Sequence, residues 1–232
     1  MLYQLSYSRL YLTGLVVQKY GGRTKPASCR ARPLVAALAP TFAPMSSPLR
    51  ISPAKANAAT AAQLADFGRQ TFAATFSATT RPEDMAAFLA ATFTPDVQLA
   101  DLRDPNTTVL LAQMQGQLVG YAKLRDNSAL GLPETLAADP AEAAGRLEIA
   151  ALYVAEDWIG TGLGAALMRA TLALAEQLHC TAVVLGVWEK NDRALAFYKR
   201  FAFKEIGEHG FQMGATIDRD LILRKGLAGR AN

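Results

Sequence analysis

The feature that most constrains this chain is a run of glycines at every second position, placed where a helix begins. Gly160, Gly162 and Gly164 separate a strand-like, apolar segment from a segment rich in alanine and leucine. Glycine allows positive φ and a close approach of the backbone to a ligand. A helix start leaves its first N–H groups unpaired and carries partial positive charge. Residues 146–177 therefore predict a strand–loop–helix unit that binds an anion such as a pyrophosphate.

The bulk composition indicates one core-forming domain with an appendage. The chain has 232 residues, of which 51% are hydrophobic, and this is enough to bury one large core. No apolar run approaches the roughly 20 residues that span a bilayer. Its two cysteines, Cys29 and Cys180, are far apart and form neither a disulfide framework nor a metal-binding cluster, which is typical of a reducing compartment. We therefore expect no metal and no membrane association.

The positive net charge comes from the N-terminal segment. Residues 1–44 hold six of the 24 basic residues and no acid, so the remainder carries 18 basic against 20 acidic side chains. A body near neutrality argues against nucleic acid as a partner and accommodates a cationic substrate.

The first 44 residues have two interpretations. Their acid-poor, Arg- and Ser-rich composition is that of a transit peptide, whereas Met45 could instead be the true initiator. Either way we expect residues 1–44 to be a disordered extension and residues 45–228 to be the catalytic domain. The first interpretation implies an organelle, and the second implies the cytoplasm.

Periodicity and turn signals predict an N-terminal helical layer followed by a mixed sheet. Pro82 and Pro95 mark helix starts, the first with a capping box from Thr80 to Glu83. Gln115-Gly116 predicts a hairpin. The predicted strands are residues 49–51, 107–114, 117–124, about 146–154, 182–187, 203–209 and 216–223, and the other helices are 60–76, the one after the glycine loop, and 192–201.

Two separated blocks resemble the GNAT superfamily of N-acetyltransferases. The family's pyrophosphate motif, Gln/Arg-x-x-Gly-x-Gly/Ala, corresponds to residues 159–164, with Ile159 in place of the usual polar residue. The second block, Asn-x-x-Ala-x-x-Phe-Tyr-x-x-x-Gly-Phe, corresponds to residues 191–203, with Ala202 in place of glycine. The resemblance covers about residues 49–226. It implies an α/β (α+β) fold with a mostly antiparallel sheet of six to seven strands and helices on both faces.

Further segments resemble the PaiA-type spermidine/spermine acetyltransferases within that superfamily. They are residues 71–76, 81–89, 148–154, 185–203, 207–214 and 220–227. This resemblance implies acetyl-CoA as co-substrate and a polyamine-like primary amine as acceptor, which attacks directly in a ternary complex. The substrate follows from analogy alone. We expect a monomer or a homodimer.

The resemblance also assigns roles to individual residues. Tyr198 would protonate the departing thiolate as general acid, and backbone amides of the fourth strand would polarise the thioester carbonyl. Arg193 is an alternative to Lys199 for the phosphates. The implied coenzyme-binding residues are Leu152, Tyr153, Val154, Ile159, Gly160, Thr161, Gly162, Leu163, Gly164, Ala165, Asn191 and Lys199.

The acceptor side is less constrained by the sequence. Glu148, in the fourth strand, is the candidate general base, and Glu189, after the fifth strand, is either an alternative base or a ligand of a second ammonium. Trp188, Phe72 and Phe76 can flank a methylene chain or make cation–π contacts of about 0.5–2 kcal/mol.

Three alternatives stay open at this stage. Gly160-x-Gly162-x-x-Ala165 formally fits a dinucleotide-binding fingerprint, which would indicate an oxidoreductase, although the preceding turn is long and the unit lies late in the chain. The scaffold could also serve a non-catalytic regulatory protein. Within the enzyme class, a protein N-terminus, a lysine or another small-molecule amine is an alternative acceptor.

Overall fold

The computed structural model describes residues 49–132, 144–214 and 216–227. The predictions for residues 1–44 lie outside these ranges. Seven strands, five α-helices and a short 3-10 helix occupy the described ranges. Their bounds are β1 Arg50–Pro53, α1 Ala58–Phe76, α2 Pro82–Thr92, α3 Pro95–Arg103, β2 Thr107–Met114, β3 Gln117–Asp126, β4 Arg146–Val154, the 3-10 helix Glu156–Trp158, α4 Leu163–Gln177, β5 Ala182–Trp188, α5 Asp192–Arg200, β6 Lys204–Met213 and β7 Thr216–Gly226.

The strands form one sheet in the order β1-β2-β3-β4-β5-β7-β6. Every neighbouring pair is antiparallel except β4 and β5, which run parallel. This confirms the predicted mixed, mostly antiparallel sheet.

The helices cover both faces of the sheet, as predicted. β5 and β6 each lie antiparallel to β7 and are therefore parallel to each other. Since crossovers between parallel strands are right-handed, α4 and α5 lie on one face, which we call the coenzyme face. The other face carries α1 to α3: Phe76 of α1 contacts Trp188 of β5 with ring centroids 5.9 Å apart, and Lys123 of β3 bonds to α3. We call it the acceptor face.

The helix starts follow the local sequence, with one correction. The side chains of Asn57 and Thr94 cap α1 and α3. The predicted capping box at Thr80 is wrong, because the N-cap of α2 is Arg81, which makes no side-chain cap bond. Pro82 at the first helical position forces Arg81 into an extended conformation, so Thr80 lies one residue too far from the helix. Arg81 binds the Glu83 carboxylate instead.

A buried lysine fastens α3 to the sheet. Lys123 Nζ donates to Gln98 Oε1 at 3.0 Å and forms an ion pair with Asp101. Burial lowers the pKa of Lys123, and Asp101 opposes that shift. Arg125 reaches the same carboxylate at 3.6 Å. A buried charge of this kind is tolerated only when it is paired and hydrogen-bonded. The bonds from Lys123 and Arg125 to Gln98 and Asp101 therefore hold α3 in one position on the sheet.

The turn after α5 contains a strained residue. Ala202, which occupies the glycine position of the second block, has φ +62, a conformation that costs a non-glycine residue roughly 1–2 kcal/mol. The turn is closed by local bonds: the N–H groups of Phe201 and Phe203 donate to the carbonyl of Tyr198 at 3.0 and 3.2 Å. The turn therefore closes with positive φ although alanine stands at this position.

Candidate active site

The glycine loop forms an open helix N-terminus. Gly160 and Gly162 have φ of +82 and +93, and a Cβ placed on either would meet nothing within 4 Å. Gly162 is the N-cap of α4, with no side-chain cap and no acidic residue in the first turn. The donors and the positive end of the helix dipole therefore face open space.

Local bonds shape the loop without using those donors. Thr161 Oγ1 donates to the carbonyl of Trp158 at 2.7 Å, and the N–H of Ala166 donates to the carbonyl of Gly162 at 3.0 Å. The N–H groups of Leu163, Gly164 and Ala165 precede that first helical bond and have no acceptor within the helix. Ile159 is half-buried against the core, so its side chain anchors the loop instead of binding phosphate. This arrangement fits a pyrophosphate.

β4 and β5 separate midway along the sheet. Their parallel pairing covers only residues 146–148 of β4, and it ends where Glu148 pairs with Val184. Beyond that point β4 pairs with β3 alone, and β5 pairs with β7 alone. Leu152, Tyr153 and Val154 are buried, and they lie along the edge of β4 that β5 no longer covers. A gap therefore crosses the sheet between its two faces.

Glu148 lies where the gap begins, on the acceptor face. It pairs across the ladder with Arg125, whose side chain reaches α3 on that face. Glu148 is 2% exposed, and its Oε2 accepts a 2.7 Å bond from Ser128 Oγ. Its Oε1 is buried and has no hydrogen-bond partner within the part of the chain that the structure describes. The hydroxyl of Ser128 therefore holds Oε2 in place, and Oε1 can still accept a hydrogen bond or a proton.

Tyr198 belongs to the coenzyme face. It is 1% exposed and lies between Phe197 and Phe203, at centroid distances of 5.3 and 5.7 Å. Asn191 caps its helix, since Oδ1 of Asn191 accepts from the N–H of Ala194 at 3.1 Å. The two predicted catalytic residues, Glu148 and Tyr198, thus lie on opposite faces of the sheet.

The other polar residues assigned to the coenzyme differ in exposure. Lys199 and the alternative Arg193 are both exposed on α5, so either can reach a charged group in solvent. Asn191 is buried and its carboxamide oxygen is engaged as the helix cap. Its position is consequently fixed by α5 itself.

A cleft opens on the acceptor face beyond the end of β5. It brings together three of the four predicted substrate-binding residues, Trp188, Phe72 and Phe76, from two separate elements. The ring of Phe72 lies 4.7 Å from that of Phe76. The complete lining is Phe72, Phe76, Thr79, Thr80, Trp188, Phe211, Met213, Asp218 and Asp220.

Glu189, the fourth predicted substrate-binding residue, does not line the cleft. Its Oε2 accepts from Arg219 Nη1 at 2.8 Å, and Arg219 also binds Glu208. Glu189 follows the last residue of β5, and its ion pair with Arg219 holds its carboxylate away from the cleft. The acids of the cleft are Asp218 and Asp220 of β7, which sequence reasoning missed. Their i, i+2 spacing in a strand was the available signal, since it places both side chains on one face.

Within residues 49–132, 144–214 and 216–227, no His, Cys, Asp and Glu side chains form a group of three that could hold a metal ion. No helix in these same ranges is both long enough and apolar enough to cross a membrane.

The split sheet thus carries a donor-rich helix start on one face and a cleft on the other. The model of the Acetyltransferase (GNAT) family matches residues 69–203. An uncharacterised N-acetyltransferase of Mycobacterium tuberculosis is 32% identical over 165 residues, which are 71% of this chain and 96% of that protein. The chain belongs to the GNAT family of N-acetyltransferases.

Two other relatives carry more specific names. A spermine/spermidine N(1)-acetyltransferase of Bacillus subtilis is 33% identical over 109 residues, which are 46% of this chain and 66% of that protein. The PaiA N-acetyltransferase of Thermoplasma acidophilum, whose crystal structure contains coenzyme A, aligns with a TM-score of 0.59 and 16% identity, over 77% of this chain and 99% of that one. The structural likeness shows that the fold is shared.

The loop geometry predicts that Gly162→Ala weakens coenzyme A binding. A Cβ at residue 162 would meet no neighbouring atom. A non-glycine residue at positive φ costs about 1 kcal/mol or more. We expect the loop to relieve this backbone strain by turning its N–H groups away from the pyrophosphate. We expect the dissociation constant for coenzyme A, measured by calorimetry, to rise about tenfold. Gly116→Ala is the matched control, because Gly116 also has positive φ and open space but lies in the β2–β3 hairpin. Equal affinity in the two variants would contradict the assignment.

Proposed function

We propose that this protein transfers the acetyl group of acetyl-CoA to a primary amine of an aliphatic polyamine such as spermidine or spermine. The observation that carries the proposal is the chemistry of the cleft. Aromatic rings and two carboxylates line it, and no lysine or arginine of the described residues does. Such walls suit a chain of methylene groups that carries positive charges. The distant likeness to the B. subtilis spermine/spermidine acetyltransferase supports the same substrate class.

The coenzyme binds on the opposite face in this proposal. The amides of residues 160–165 hold its pyrophosphate at the positive end of α4, and Lys199 or Arg193 meets outer phosphates. Backbone groups at the uncovered edge of Leu152–Val154 hold the acyl end of the co-substrate in the gap. An N–H aimed at the thioester oxygen there stabilises the negative charge that develops during attack. This requires β4 and β5 to stay apart.

Proton transfers complete the reaction from both sides of the sheet. Glu148 accepts a proton from the acceptor ammonium, directly or through water, and the neutral amine attacks the thioester carbonyl in a ternary complex. The C–S bond then breaks, and the Tyr198 hydroxyl protonates the departing thiolate. Glu148 suits its role because Ser128 orients it and its Oε1 is open to a proton. The products are an amide and a free thiol.

Other amines are the second candidate class. Thr79 and Thr80, in the loop between α1 and α2, border the cleft, so a peptide that begins with a free amine or ends in lysine could enter by the same opening. Redox use of a dinucleotide would require a different architecture, since the sheet is mostly antiparallel and the chain belongs to an acetyltransferase family.

The direct test is thiol release from acetyl-CoA over a panel of acceptors. We expect turnover with spermidine and spermine to exceed turnover with lysine-ended peptides and with aminoglycosides by at least about tenfold, because the cleft matches an extended cationic chain. Mass spectrometry of the acceptor identifies the amide product. A preference for peptides would replace the polyamine class, and absence of thiol release from every amine would reject the enzymatic role.

Tyr198→Phe tests the general acid. Removing the hydroxyl while keeping the ring should lower kcat by roughly 100-fold or more and leave the dissociation constant for acetyl-CoA within about twofold. Tyr121→Phe is the matched control, since Tyr121 is also fully buried but lies in β3, outside the proposed machinery. A normal kcat in Tyr198→Phe would remove the residue from the acid role.

Glu148→Gln tests the general base through the pH profile of kcat/KM. Without the carboxylate only acceptor molecules that are already neutral can react, and alkylamines lose their proton near pH 10. The acid limb of the profile should therefore move to higher pH, with a large loss of kcat/KM at neutral pH that shrinks as the pH rises. A profile that falls by the same factor at every pH would indicate a structural role instead.

A further inference from the structure

The chain between β3 and β4 crosses the acceptor face where the gap begins. Asn127 turns it there with φ +56, a left-handed conformation that asparagine adopts more readily than most residues. Its Oδ1 accepts from the N–H of Gly145 at 3.4 Å, and the N–H of Ser128 donates to the carbonyl of Arg146 at 3.2 Å. These bonds attach residues 127–131, which we call the bridging segment, to the start of β4.

The other end of the bridging segment lies on strands beyond the gap. Leu130 is 7% exposed and packs in a cluster with Val184 of β5 and Ile222 of β7. Gly131 has φ +75, and a Cβ there would lie 2.9 Å from side-chain atoms of Ile206 and Ile222. Glycine therefore lets the chain pass close to β6 and β7. The bridging segment thus connects β4 with the strands on the far side of the gap.

The hydroxyl of Ser128 links the bridging segment to Glu148. Ser128 is buried, and its Oγ accepts from the N–H of Leu130 at 3.2 Å and donates to Glu148 Oε2 at 2.7 Å. A serine hydroxyl has one proton to donate. The N–H of Leu130 occupies a lone pair of Oγ and leaves that proton directed at the carboxylate. The position of the Leu130 backbone therefore determines the position of the donor that Glu148 receives.

The neighbouring cations are engaged with other groups. Arg125, the ladder partner of Glu148, reaches Asp101 of α3 at 3.6 Å. Arg146, two residues before Glu148 in β4, binds the carbonyl of Leu130. Within the described ranges neither arginine forms an ion pair with Glu148. The carboxylate therefore depends on the bridging segment for its position.

We infer that Leu130 is a positioning residue for the general base and that it acts through Ser128. The inference rests on the proposed function and adds to it a residue outside the cleft lining. The contacts of Leu130 with β5 and β7 fix the bridging segment, and its N–H keeps the Ser128 hydroxyl on Oε2 of Glu148. Oε1 then accepts the proton of the reacting ammonium, whose N–H bond breaks and leaves its electron pair on the nitrogen.

Leu130→Ala removes the contacts with β5 and β7 and keeps Ser128 and Glu148. We expect kcat/KM at neutral pH, for spermidine or for the amine that the acceptor panel identifies, to fall about 10- to 100-fold, as for a misplaced catalytic group. The loss should shrink towards a pH of about 10, where alkylamines are already neutral and need no base. Leu111→Ala is the matched control, since Leu111 is also 7% exposed but lies in β2, and it should show no such pH-dependent loss.

A second variant guards against a folding defect. Thermal unfolding checks that Leu130→Ala folds, and Gly131→Ala decides alone if it does not. The added Cβ would lie too close to Ile206 and Ile222, so it displaces the bridging segment without opening a cavity. We expect the same pH-dependent loss in Gly131→Ala.

A double-mutant cycle shows whether Leu130 acts through Ser128. In a Ser128→Ala background, Leu130→Ala should change kcat/KM by less than about twofold, because the bond that transmits its effect is already absent. Ser128→Thr, which keeps a hydroxyl, should restore most of the activity that Ser128→Ala loses. Additive losses in the double variant, or a loss by the same factor at every pH, would overturn the inference and leave the proposed function standing.

Crystal structures of the variants separate the inference from the proposed function. In Leu130→Ala the distance from Ser128 Oγ to Glu148 Oε2 should exceed hydrogen-bond range. If the wild type acetylates no amine, the proposed function is overturned, and this distance alone decides whether Leu130 positions the carboxylate. A bond that stays at 2.7 Å would overturn the inference, whatever the turnover.

Discussion

The separation of β4 and β5 is the constraint on which the site depends. Their ladder lasts for three residue pairs and then stops, although both strands continue and are buried. Unpaired backbone groups inside a protein are costly unless another partner satisfies them. Such a gap is stable when a ligand supplies the missing partners. The pantetheine arm of a coenzyme, which is an extended chain with amide groups, has the chemistry to do so.

In the proposed reaction, the gap also permits two ligands of opposite charge to meet. The coenzyme face offers helix donors and the positive end of α4, whereas the acceptor face offers Asp218 and Asp220 in an aromatic setting. An anionic coenzyme is repelled by the second surface, and a polycation is repelled by the first. The sheet between them keeps the two binding surfaces apart, so each ligand approaches the gap from its own side. In the proposed reaction, electrostatics thus sorts the two substrates before any chemistry takes place.

The sequence specifies the local geometry of the glycine loop more directly than it specifies the lining of the cleft. The glycine loop and the cap at Asn191 depend on local geometry, which a short stretch of sequence specifies. The cleft, by contrast, combines residues of α1, β5 and the β6–β7 hairpin. No local sequence pattern predicts that Phe76 contacts Trp188. Glu189 was predicted for the acceptor side because it directly follows β5 in the sequence, whereas the acids that line the cleft are Asp218 and Asp220. The partner of Glu189 is Arg219 of β7, which lies 30 residues further along the chain, so no local pattern predicts that contact.

Local contacts hold Tyr198 in place. Its ring is fixed by Phe197 and Phe203, and its carbonyl accepts the two N–H groups that close the turn. Ala202 completes that turn with positive φ in spite of its Cβ. A strained backbone conformation persists only where the surrounding structure holds it in place. Here the two hydrogen bonds to the carbonyl of Tyr198 hold the conformation of the turn. A glycine would relieve the strain, but it would also widen the range of conformations open to the turn. The substitution therefore ties the position of the proposed acid more closely to the packing of β6, which begins two residues after Ala202 and carries the ring of Phe211 on the wall of the acceptor cleft.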